Sequence, residues 1–179
     1  TTSLTDADRA GLAQMSLDQL GIMCDTDKSS TGHGYTSVYE RHTLEHRDTA
    51  TTIIEFGVAA GGSTLMWSKW FYNAYIHGFD VNLHRPLGER ITHYQLDCTS
   101  EIITNLTQQI QPDIIIDDAA HTMLSHQQTF DLTFPYLNEG GLYIFEDLQT
   151  CYDPLFGGSP THAGEPLVDH SAAEHQSPR

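Results

Sequence analysis

At 179 residues and 39% apolar composition, the chain is long enough for one domain with a substantial core and short for two. Its formal charge of −16, from 24 acidic against 8 basic side chains, argues against a nucleic-acid-binding surface and against an anionic membrane, since both need a basic patch. No apolar run reaches the roughly 18 residues of a membrane span, the N-terminus lacks a signal-peptide pattern, and Cys24, Cys98 and Cys151 have no CxxC spacing. A cytoplasmic protein with reduced thiols is the expectation. Because the chain opens on Thr1 rather than Met, its N-terminus is expected to have been processed or trimmed.

In chain order, Leu12, Met15, Leu17, Leu20, Ile22 and Met23 form an imperfect helical stripe over 5–23, opened by a Thr-Asp cap signal. A polar, glycine-punctuated segment follows over 25–35, and then a helix over 36–46. From there strands and helices alternate. Strands are predicted over 51–56, 75–81, 92–97, 113–118 and 141–147, and helices over 63–73, 101–110 and 123–137. Between 82 and 91, Pro86 and Gly88 discourage a full helix, so one crossover should be irregular. The pattern predicts an α/β fold: a Rossmann-like, doubly wound and mostly parallel sheet with an N-terminal helical segment. The expected organisation is a helical cap or lid over 1–50, a catalytic core over 51–158 and a flexible tail over 159–179, where apolar side chains are scarce.

Two apolar runs end in acids. Ile114-Ile115-Ile116 leads into Asp117-Asp118-Ala119-Ala120-His121, and Leu142-Tyr143-Ile144-Phe145 leads into Glu146-Asp147. In an open α/β sheet the carboxyl ends of the strands form the ligand-binding rim, so neighbouring strands would present Asp118, Glu146 and Asp147 together. Three hard oxygen donors suit Mg²⁺ or Ca²⁺. His121, three residues past Asp118, is placed as a general base, because a neutral imidazole takes a proton near neutral pH. Any one of these acids alone would be an ordinary strand-end or capping residue; their joint placement points to a site.

A second constellation is Ile53-Ile54-Glu55-Phe56-Gly57-Val58-Ala59-Ala60-Gly61-Gly62-Ser63, an apolar strand, a glycine-rich turn and a helix start. Glycines let the backbone approach a nucleotide cofactor, and the helix N-terminus offers free N–H groups. Ala59 departs from the GxGxxG fingerprint, and no GxxxxGK[ST] phosphate loop is present. Asp80 closes the second strand about twenty residues past the glycines, where a ribose partner belongs in such folds. Asp97, closing the third, could lie near an adenine. The cluster of Met66, Trp67, Trp70 and Phe71 has the spacing of one buried helix face rather than an aromatic cage, and His84, His93, His126 and His162 show no zinc-ligand spacing.

The glycine turn with Asp80 resembles the cofactor site of class I S-adenosylmethionine-dependent methyltransferases. Three further stretches narrow the resemblance: Asp27-Lys28-Ser29-Ser30 with His33-Gly34-Tyr35 and Tyr39-Glu40, Ile116 to His121, and Phe145-Glu146-Asp147-Leu148-Gln149-Thr150. Together they are similar to the metal-dependent sugar O-methyltransferases of the macrocin and mycinamicin type, and much of the pattern is shared with the cephalosporin-methoxylation methyltransferase. The resemblance runs over residues 25–158. It implies S-adenosylmethionine held by Glu55, Gly57, Ala59, Gly61, Ser63, Asp80, Asp97, Asp117 and Tyr35, Mg²⁺ held by Asp118, Glu146 and Asp147, and His121 as the catalytic base. His33 is placed with Tyr35 over the cofactor or acceptor, and Gln149 beside the metal. The implied acceptor is a hydroxyl of a vicinal diol on the sugar of a glycosylated natural product. Members of that family carry more sequence at both ends, so this chain is expected to be a shortened version, or to have its acceptor pocket finished by another subunit of a homo-oligomer. A nicotinamide-dependent oxidoreductase would use Gly57 and Asp80 but gives no role to the acidic pair, and a non-catalytic cofactor-binding module stays open beside it.

Overall fold

In a computed structural model of the chain, residues 5–82, 85 and 87–152 are described. The expected flexible tail over 159–179, the last residues of the expected core, and His84, Pro86 and His162 lie outside them.

The elements run α1 (Asp6–Ala13), α2 (Leu17–Met23), α3 (Thr36–Thr43), β1 (Thr52–Phe56), α4 (Gly62–Trp70), β2 (Tyr75–Asp80), β3 (Ile91–Gln95), α5 (Ile102–Ile110), β4 (Ile114–Asp117), α6 (Met123–Thr133) and β5 (Leu142–Phe145), with short 3₁₀ turns at Leu44–His46, Phe134–Tyr136 and Leu148–Tyr152. All five strands are parallel, in the order β3-β2-β1-β4-β5. Successive strands build outward from β1, first to one side and then to the other, so the chain's direction across the sheet reverses between β1 and β4. That reversal is where an open α/β sheet leaves a crevice at its carboxyl edge.

Alternating side chains separate two cores. Ile53, Ile114 and Ile116 pack with Trp67, Trp70, Phe71 and the α2 residues Leu17 and Leu20 on one face, while Ile54, Phe56 and Ile115 pack with Phe79 and Ile103 on the other. Helices therefore cover both faces, which is why the strands read as continuous apolar runs rather than alternating ones. Trp67 and Trp70 are fully buried, as their spacing implied.

The structure divides the single helix expected over 5–23 into two. Ser16 accepts a hydrogen bond from the Gln19 amide and Gln19 accepts one from the Ser16 amide, a reciprocal cap that starts α2 afresh and outweighs continuation of the stripe. The helix expected over 123–137 ends at Thr133, where Pro135 turns the chain into a 3₁₀ turn. Among the described residues no helix joins β2 to β3, the irregular crossover that the sequence indicated.

Candidate functional site

Strand register brings the site together. Phe56 pairs with Phe79 of β2 and with Asp117 of β4, and Asp117 pairs with Phe145 of β5. One residue further along each strand stand Gly57, Asp80, Asp118 and Glu146, all at one rim. Here Gly57 has φ +83°, and a Cβ on it would lie 2.1 Å from the Asp118 carbonyl oxygen. Only glycine lets the turn after β1 pass so close to the end of β4. The Asp80 carboxylate accepts from the amides of Val58 (2.9 Å), Ala59 (3.2 Å) and Asn82 (2.8 Å), which ties the glycine turn to β2. Asp97 accepts from the amide and hydroxyl of Thr99 at 2.9 and 2.7 Å. These residues open onto a cavity of about 540 Å³ whose lining includes Gly57, Ala59, Asp80, Asp97, Asp118 and His121. That volume lies within the 300–1,000 Å³ or so of small-molecule sites.

The other residues expected at the cofactor are not among the lining of this cavity. Glu55 and Asp117 are fully buried. Trp67 Nε1 donates to Glu55 Oε1 at 3.0 Å. Burial pushes the Glu55 carboxyl up to about 8 even though the Lys28 ammonium and the Trp67 bond pull it down. Asp117 sits with Oδ2 3.1 Å from Nδ1 of the buried His126. Gly61 caps the start of α4 in the left-handed conformation, and Ser63 is buried in its first turn. Tyr35 lines a second, more apolar hollow between α3 and β5, shared with Tyr39, Ile144 and Asp147, and its hydroxyl donates to Asp147 Oδ1 at 2.7 Å.

At the β4–β5 end of the rim, Asp118, His121 and Asp147 each offer an atom within 4.8 Å of the others. His121 Nδ1 lies 3.9 Å from Asp118 Oδ1, and its Nε2 lies 4.0 Å from Asp147 Oδ2. Nδ1 is buried and makes no hydrogen bond. His121 (φ +52°) and Asp147 (φ +53°) both hold left-handed backbones, a strain that concentrates at functional sites. Each flanking acid is anchored by one oxygen and presents the other to His121. Lys28 holds Asp118 Oδ2, while Tyr35 and the Gln149 amide hold Asp147 Oδ1. Burial raises the Asp147 carboxyl, and these two bonds together with the neighbouring His121 and His33 outweigh it, leaving the group below the usual carboxylate range. For Asp118 burial wins over the nearby Lys28 charge, and the carboxyl lies above that range. Hard oxygens beside a buried, unpartnered imidazole nitrogen fit a divalent cation.

Glu146 is set back from this trio. It is 6% exposed, its Oε1 accepts from Lys28 Nζ at 2.7 Å and from the Tyr39 hydroxyl, and burial raises its carboxyl. Lys28 and Tyr39 are the functional neighbours that sequence reasoning left without a role. Their motif was visible; their burial against acids more than a hundred or nearly a hundred positions away had no local signal.

No protein-family model matches the chain. It is 40% identical over 139 residues to the 8-demethyl-8-alpha-L-rhamnosyl tetracenomycin-C 2'-O-methyltransferase of Streptomyces olivaceus, covering 71% of this chain and 36% of that protein. It is 32% identical over 158 residues to the mycinamicin VI 2''-O-methyltransferase of Micromonospora griseorubida, covering 83% and 40%. Among solved structures, MycE methyltransferase from the mycinamycin biosynthetic pathway, in complex with Mg, SAH and mycinamycin VI, superposes with a TM-score of 0.77 at 31% identity, over 83% of this chain and 44% of that one. The chain thus spans less than half the length of the curated relatives it matches. Over that span it is a homologue of the macrocin- and mycinamicin-type sugar O-methyltransferases, built on the class I methyltransferase fold.

Proposed function

We propose that this chain supplies the cofactor and metal site of a Mg²⁺-dependent O-methyltransferase that moves a methyl group from S-adenosylmethionine to a sugar hydroxyl of a glycosylated natural product. One observation carries the reading: the facing oxygens of Asp118 and Asp147, with His121 between them, stand at the same rim as the Gly57 turn and Asp80. The cofactor's sulfonium would supply an electrophilic methyl and the cation would acidify a bound hydroxyl, so that little base strength is needed.

In this reading Gly57, Ala59 and Gly61 keep the turn's backbone close to the cofactor, while Asp80, already oriented by three amides, accepts from its ribose hydroxyls. Asp97, which lines the same cavity, would face the adenine. Asp118 and Asp147 hold the cation with Glu146 as the third acid, and His121 takes the hydroxyl proton. Glu55, Ser63, Asp117 and Tyr35 support the site from behind or beside it. The buried positions of Glu55 and Asp117 favour shaping the strand ends over direct contact. A vicinal diol offers two oxygens to one cation, which orients the attacking oxygen. The described part of the N-terminal region, residues 5–50, serves as the cap of the core that begins at residue 51. Assembly as a homo-oligomer, and a cytoplasm in which the buried thiols Cys24, Cys98 and Cys151 stay reduced, belong to the same proposal. Among the described residues no helix is long and apolar enough to cross a membrane.

Calorimetric titration with S-adenosylmethionine, its demethylated product and NAD, each with and without Mg²⁺, tests the reading. The sulfonium and its product should bind and NAD should not, with Mg²⁺ binding the chain. Binding of NAD alone would overturn it.

A further inference from the structure

Lys28 is a lysine in an unexpected place. Its side chain is 2% exposed, and its ammonium bonds both Asp118 Oδ2 and Glu146 Oε1, two of the three acids proposed to hold the cation. A compact, strongly hydrated ammonium is costly to bury unless paired, and here each pair is with a carboxylate that the cation would also claim. The backbone around it is fixed: the Lys28 carbonyl accepts from the Thr36 amide at 3.0 Å, and the Lys28 amide donates to Thr26 Oγ1 at 3.4 Å. Freedom is left to the four-carbon stem.

We propose that the Lys28 ammonium stands in for the divalent cation in the metal-free protein, tying Asp118 to Glu146, and gives up these carboxylates when the cation binds. The inference rests on the metal reading above. Without a positive group, buried carboxylates this close repel one another, and the rim would open or take up protons. With Lys28 the ligands stay gathered, but a second cation arriving at the same carboxylates meets a charge of its own sign. Lys28 is thus a positioning residue that sets cation affinity: it keeps the site assembled and weakens binding enough to make loading reversible.

The test is a Mn²⁺ and Mg²⁺ titration of the full chain without cofactor, by calorimetry and by the electron paramagnetic resonance signal of free Mn²⁺, for wild type, Lys28→Met and Lys28→Arg. Removing the competing charge in Lys28→Met should tighten cation binding by about tenfold or more, and Lys28→Arg, which keeps the charge, should stay within about threefold of wild type. The melting temperature of Lys28→Met should fall in EDTA, and its rise on adding Mg²⁺ should exceed that of wild type. If Lys28→Met fails to fold, Lys28→Gln, whose amide still donates to a carboxylate, carries the same comparison. Equal or weaker cation binding by the neutral variant overturns the stand-in role. Failure of wild type to bind either cation overturns the metal reading itself.

Discussion

Replacing Gly57 with alanine tests whether the rim depends on the close passage of β1 and β4. The new Cβ would stand 2.1 Å from the Asp118 carbonyl oxygen and 2.7 Å from its carbon, both backbone atoms that no rotamer change can move. The residue would also have to hold φ +83°. A left-handed backbone costs roughly 1–2 kcal/mol for a non-glycine residue, and forced overpacking adds about 1–3 kcal/mol, so the expected loss is about 2–5 kcal/mol. For a domain of this size that corresponds to a melting temperature lower by roughly 5–20 °C. Gly34 is the internal control, because it has φ +74° but nothing within 4 Å of its added Cβ. Gly34→Ala should therefore show the conformational cost alone. Thermal melts of both variants, with titration of the demethylated cofactor product, separate the two terms. If Gly57→Ala melts with Gly34→Ala and binds the product as wild type does, the close passage is not what fixes the rim.

Asp80→Ala should weaken S-adenosylmethionine by about 10–150-fold, the worth of one charge-assisted hydrogen bond at about 1.5–3 kcal/mol, and unchanged affinity by calorimetry would place the ribose elsewhere. His121→Ala should lower kcat by about 10²–10⁴ with cation affinity nearly intact; a matching loss of Mg²⁺ affinity would make the imidazole a ligand rather than the base. Glu55 gives a pH test. Its folded carboxyl titrates at about 8 against an ordinary 4.5, so the stability it contributes is fully present below about 4.5 and is lost as pH rises through about 8. Glu55→Gln, always neutral, should gain melting temperature relative to wild type between pH 5.5 and 8.5, and a pH-independent difference would show that the carboxyl is not held protonated.

The sheet was legible because burial on both faces writes parallel strands as apolar runs, and Ile114-Ile115-Ile116 or Ile53-Ile54 admits few other readings. Once the order β3-β2-β1-β4-β5 follows, the register carries Gly57, Asp80, Asp118 and Glu146 to one edge, and the acid-ended strands become a site. Helix ends were less legible. The Ser16 and Gln19 cap can be read locally, yet the stripe on either side of it favours one helix until packing decides. Lys28 was the hardest residue to place. In the polar run Asp27-Lys28-Ser29-Ser30 it looks like a solvated loop lysine, and its burial is set by acids 90 positions or more along the chain.

The N-terminal region has a larger part in the site than the word lid suggests. Lys28, Tyr35 and Tyr39 reach across from the loop before α3 and from α3 itself to Asp118, Asp147 and Glu146, giving each acid its own donor. Buried carboxylates need such donors, and the strand ends that carry them have few amides to spare because the parallel ladder uses them. The donors also choose direction. By occupying Oδ2 of Asp118 and Oδ1 of Asp147, they leave the opposite oxygens turned toward His121. A segment that only covered the cavity could leave without changing the acids. This one orients them, so the seating of residues 25–43 decides which carboxylate oxygens face His121.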